Sequence, residues 1–193
     1  FKLISKVFDA FQQLEYVVAE VKDNERSVLK ITHETAKQNS ELELGAFIPF
    51  DAFFNQMFRQ NLIHKGSKAI NPALELSFVK SEPFAQRVVK LLFMISNLME
   101  SDRLNFGSSL DNLTLLMMTQ IDENKLQLRN NIESVLRRLI ENNIIREENN
   151  NYYFYNEDEV ELSTVIANTT PGTEFMADEM RAILFTWLKV DNK

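Results

Sequence analysis

The sequence predicts a mainly α-helical fold whose helical part is followed by one short β-hairpin, and three observations predict it. Apolar residues recur three or four positions apart along most of the chain, as they do on one face of a helix. Gly and Pro number four each among 193 residues, too few for an all-β sandwich or a disordered chain. Over residues 144–155 the period changes, and two β-prone runs flank an asparagine-rich turn.

The elements follow in order. Ile4, Phe8, Phe11, Leu14, Val18 and Val21 share one face, which predicts a first helix to about residue 22. Asp23-Asn24 ends it or caps a shorter helix over residues 25–38, and the polar residues 39–45 read as a loop. In the phenylalanine-rich stretch 47–58, Phe50, Phe53, Phe54, Met57 and Phe58 return to helical spacing. Their large rings are expected in the core. Asp51, near the start, suits the positive end of a helix dipole. Gly66 and Pro72 punctuate the chain before a helix over 69–79.

Ser81 is expected to cap the next helix, with Pro83 in its first turn and a stripe from Val88 to Met99 that runs to about residue 100. After Gly107, Ser108 or Ser109 caps a short helix carrying Leu110, Leu113, Leu116 and Met117. Asp122 is expected to start a third, with Leu128, Ile132, Val135, Leu136, Leu139 and Ile140 on one side. Three helices and then a two-stranded hairpin is the order of a winged helix, a helix-turn-helix variant. The expected fold is therefore a helical bundle followed by a winged-helix unit. It divides into a helical region (1–80), a winged-helix-like domain (81–156) and C-terminal helices (157–193), of which one covers 156–167 and another carries Met176, Met180, Ile183 and Trp187.

Bulk properties narrow the function. Hydrophobic residues make up 45% of the chain, enough to bury a real core. With no cysteine, disulfides and Cys-ligated zinc are excluded, which fits a reducing, cytoplasmic setting. The run from Val88 to Leu98 is broken by Lys90, Ser96 and Asn97 and is too short to span a bilayer, so no membrane partner is expected. The net charge of −7 sits entirely in residues 141–193, a surface that repels phosphates. The chain starts within an amphipathic pattern and stops after another, and it reads as an excised piece of a larger protein.

Catalytic motifs are not found. Lys65-Gly66-Ser67-Lys68 lacks the upstream glycine and the preceding strand of a P-loop, and reads as an ordinary turn. His33 and His64, the two histidines, lie in different segments and have no ligand or nucleophile pattern around them. Glu157-Asp158-Glu159 with Glu161 reads as a solvated helix start. No catalytic, cofactor or metal site is therefore expected.

A DNA-binding winged helix presents cations on its third helix and wing. The candidates for nucleic-acid or partner contact are Lys125, Arg129, Arg137 and Arg138 on the third helix, and Arg146 on the wing. Glu133 and Glu141 are interleaved with the first four, and Glu147 and Glu148 follow Arg146. Since phosphate contacts dominate non-specific affinity, this pattern favours a protein partner over DNA.

Particular stretches carry a family resemblance. Val88-Val89-Lys90-Leu91-Leu92-Phe93-Met94-Ile95 and Leu110-Asp111-Asn112-Leu113-Thr114-Leu115-Leu116-Met117 are two of them. A third is residues 136–147 with the aromatic-acidic run 152–159, and a fourth is Ile48-Pro49-Phe50-Asp51-Ala52-Phe53-Phe54. Together, over residues 45–168, they resemble the large P-loop ATPase of BREX phage-defence systems. The resemblance implies an AAA-like ATPase region upstream that binds ATP and Mg²⁺, with this chain as the helical and winged-helix portion after it. In the wider family such a portion touches the nucleotide core, a neighbouring subunit or DNA. The family's phosphate-binding Lys and metal-binding Asp have no counterpart here. The implied role is a non-catalytic docking or regulatory module. Its implied partners are the parent ATPase or other defence proteins, and a DNA-binding winged helix is the alternative.

Overall fold

A computed structural model describes residues 2–17, 24–43, 45–58, 62–156, 159, 162, 165 and 173–188, with backbone alone at 24–27, 173–175 and 184–188. The described residues are mainly helical and carry one two-stranded antiparallel sheet. The chain forms two units, Phe1–Asn156 and Glu157–Lys193.

In the first unit, α1 (Lys2–Gln13) stops nine residues short of its expected end. Glu15 adopts φ +56°, Glu15 N–H donates to Gln12 O, and Tyr16 N–H donates to Phe11 O at 2.8 Å. This is a left-handed helix cap closed by the Phe11–Tyr16 ring contact, with centroids 5.5 Å apart. The apolar stripe continued past this point, but Tyr16 and Val17 leave the helix to pair with the segment before α4. Ile63 N–H donates to Tyr16 O at 2.9 Å, and Val17 bridges Leu62. Tertiary pairing overrides the local pattern here. Val18 and Val21 lie outside the described residues.

α2 (Asn24–Gln38) matches its expected span. Phe50–Ala52 is one 3-10 turn, and α3 (Phe53–Phe58) follows. Phe50, Phe54, Met57 and Phe58 are buried as expected, whereas Phe47 is exposed. Asp51 has a role beyond the dipole, because Arg87 donates to both of its carboxylate oxygens at 2.8 and 3.0 Å. α4 (His64–Glu75) contains Gly66 and Pro72 rather than being punctuated by them, so the Lys65-Gly66-Ser67-Lys68 turn is in fact helical. At Gly66 a Cβ would sit 3.0 Å from Tyr16 O, so glycine permits the close approach. The expected helix over 69–79 is split at Leu76 into α4 and α5 (Ser77–Ser81).

α6 (Pro83–Ser96) has Glu82 at its N-cap. Ser81 does not cap it, since its hydroxyl donates to Phe78 O instead. The chain turns at residues 97–99, and α7 (Glu100–Phe106) occupies a stretch where no helix was expected. Ser109 caps α8 (Leu110–Met117), accepting from Asn112 N–H. α9 (Lys125–Glu141) starts at Asn124, which accepts from Gln127 N–H, and not at Asp122. Asn143, at φ +54°, ends α9: its N–H donates to Ile140 O and Ile144 N–H to Leu139 O.

β1 (Ile145–Glu148) and β2 (Asn151–Phe154) pair in register from Ile145–Phe154 to Glu148–Asn151. Asn149 and Asn150 between them have φ +51° and +61°, the two positive values of a tight type I′ hairpin, which asparagine tolerates well. Ser108 binds the hairpin twice. It accepts from Tyr152 N–H at 3.2 Å, and its hydroxyl donates to Tyr152 O at 2.6 Å.

α6 is the hub of this unit. Residues 91–96 are buried without interruption, so every face of that stretch is covered. Phe93 meets the rings of Phe11, Tyr16, Phe54 and Phe154 at centroid distances of 5.2–6.4 Å. Residues before and after position 80 thus share one core.

In the second unit α10 (Thr173–Leu188) exposes Met176, Met180 and Ile183, spaced four and three apart. Of the helix expected over 156–167, Asn156 is described and not helical, Glu159, Leu162 and Val165 are helical, and the rest lies outside the described residues.

Candidate functional site

α9 buries Leu128, Ile132, Val135, Leu136 and Leu139 on one stripe. The opposite side carries Lys125, Arg129, Glu133 and Arg137, each four residues after the last and therefore in one row. Arg129 Nε lies 3.1 Å from Asp111 Oδ1 on α8, and its Nη1 lies 3.8 Å from Glu133. Arg137 donates to the other oxygen of Glu133 at 3.3 Å. Glu133 is thus held between two arginines. Lys125 is exposed and has no ion pair among the described residues.

Arg138 belongs to a different surface. It donates through both terminal nitrogens to Glu82 at 2.8 and 2.9 Å, and its guanidinium lies 3.8 Å from the centroid of the Phe78 ring. The bidentate hydrogen bond raises the Arg138 pKa and lowers that of Glu82. The arginine therefore ties α9 to the junction of α5 and α6. The strip Arg129, Arg137 and Arg138, read from the sequence as one basic surface, is divided in this way.

Arg146 sits on the hairpin opposite Tyr153. Its guanidinium lies 5.7 and 5.8 Å from the Tyr153 and Tyr155 centroids and 3.6 Å from Glu148. Arg103 of α7 covers the same Tyr153 ring at 5.2 Å. On the buried side of the hairpin, burial raises the Tyr152 pKa, with Glu147 and Glu133 adding to the effect.

Spacing alone did not reveal one further feature, an apolar groove of about 470 Å³ where α8 turns into α9. Phe47, Ile48 and Phe50 wall one side. Leu115, Leu116, Met118 and Ile121 line the rest, and Lys125 is its charged lining residue. Phe47 N–H donates to Thr119 O at 2.8 Å and Ala46 bridges Gln120, which fixes the first wall against the α8–α9 turn. Leu115 is 57% exposed and Ile121 73%. The signal available beforehand was that both fall off the stripes that bury α8 and α9.

Among the described residues no group of three His, Asp or Glu is placed to hold a metal ion, and no helix is long and apolar enough to cross a membrane. His33 and His64 are exposed on separate helices. No family model matches this chain, and no solved structure matches it.

Proposed function

We propose that this chain is a winged-helix docking module of a large BREX-type phage-defence ATPase, without catalytic chemistry of its own and working in the cytoplasm. The sequence resemblance over residues 45–168 supports the parentage. The order α6, α8, α9, β1, β2, with the short α7 inserted after α6, supports the winged helix, as does the closure of the hairpin onto Ser108. ATP and Mg²⁺ would be bound in the parent's ATPase region, and nucleotide state there would reposition this module against the ATPase or another defence protein.

The observation that carries the reading is the state of the arginines on α9. A helix that reads DNA offers open cations to phosphates and base edges. Here Arg129, Arg137 and Arg138 each contact a carboxylate of the same unit, while an apolar groove lies where α8 turns into α9. Phosphate would have to displace Asp111, Glu133 and Glu82 in turn. Fluorescence anisotropy with labelled duplex DNA across a salt series tests this. The expected result is no salt-dependent binding, together with retention of the chain by the ATPase region of its parent. Binding whose logarithm falls linearly with log salt, and which Arg129→Glu and Arg137→Glu remove, would replace this reading with a DNA-binding one.

A further inference from the structure

We infer that the groove between Phe47 and Ile121 receives an amphipathic helix of a partner protein, with an acidic side chain on its flank placed against Lys125. The inference rests on the docking reading and specifies where and by what chemistry docking occurs. Leu115 and Ile121 leave more than half of their surface in water beside exposed Phe47, although hydrophobic residues of this size gain by burial. They are contiguous around one concavity, the arrangement that marks interaction sites on protein surfaces. The volume lies within the range of roughly 300–1,000 Å³ typical of binding clefts.

Charge complementarity selects the partner. Lys125 is the charged side chain lining the groove and has no ion pair among the described residues, and the first turn of α9 contains no acidic residue. A carboxylate beside Lys125 would be favoured by the ammonium; of the two acidic residues just before α9, Glu123 is engaged by the Thr119 N–H and hydroxyl, and Asp122 does not line the groove. The walls select a helix over an extended strand. A strand adds to a sheet edge through a run of backbone groups, and this groove offers one isolated bridge, Ala46–Gln120. Capture must therefore come from side chains, as when successive i and i+4 anchors of a helix enter an apolar slot.

The test uses the full chain and a fluorescent four-turn synthetic helix with leucines on one face and glutamates flanking it. A lysine-flanked twin and a serine-faced control accompany it. The expected result is saturable binding of the glutamate peptide, about fivefold tighter than its lysine twin, with none for the serine control. Lys125→Glu should reverse the preference. Leu115→Glu and Ile121→Glu should abolish binding with circular dichroism unchanged, because both positions are exposed. Failure to bind, or a preference untouched by Lys125→Glu, overturns the inference. A parallel measurement with the parent's ATPase region separates the two readings: if docking persists in Ile121→Glu, the groove assignment falls and the docking module stands. If the unaltered chain does not dock at all, the docking reading itself falls.

Discussion

α6 and α9 are neighbouring amphipathic helices of similar length that do opposite work. α6 is covered on every side along residues 91–96 and turns its cations inward, Arg87 onto Asp51 and Lys90 over the Phe54 ring. α9 buries a single stripe and turns a row of four charged residues outward. One helix organises the core and the other presents a face. The contrast also runs within α9. At its first turn Lys125 stands open beside apolar side chains, whereas at its last turn Arg138 is clamped by Glu82 and Phe78. A count of cations along a helix thus differs from the charge it offers to a partner.

The contrast can be broken most directly at Phe93. Phe93→Ala empties the point where four rings meet, and should cost about 3–5 kcal/mol, read as a shift of the urea midpoint. An equal loss from truncating an outward residue of α9 would remove the distinction between the two helices. Asp51→Ala comes next. It leaves the half-buried Arg87 without its carboxylate and should cost about 2 kcal/mol, less than a fully buried pair because Arg87 is about one-third exposed. Asn124→Ala, which removes the cap of α9, should cost about 1 kcal/mol, and Asn124→Ser should restore most of it.

The smallest effect sharpens the comparison at the Arg138 end. Glu82 is depressed below its ordinary pKa by Arg138. Its contribution is therefore present above the ordinary glutamate value, about pH 4.3, and disappears as pH falls through the lower folded value. Wild type and Glu82→Gln should differ in denaturation midpoint at pH 7 and converge in acid. A difference that persists at pH 2 would show that the clamp is not electrostatic.

Much of this arrangement was legible in advance, and the failures have particular causes. The α2, α8 and hairpin assignments rested on short-range chemistry: apolar spacing, Ser109 as a cap, and asparagines where φ is positive. Those interactions lie within a few residues and leave a direct trace. The end of α1 did not, because Tyr16 and Val17 pair with residues 62–63 and no local signal announces that partner. Asp51 looked like a dipole residue because Arg87 lies 36 positions away. For the candidate surface, the five cations were identifiable by type and their availability was not.

Residue order along the chain was sufficient for helical character, for the hairpin and for the absence of cysteine chemistry, since each depends on identity or on spacing within a few turns. Which cations remain open, and that Phe47 meets Ile121 across a groove, depended on folding. These are contacts between residues far apart in the chain, and their energies exist only once the core around Phe93 has brought those residues together.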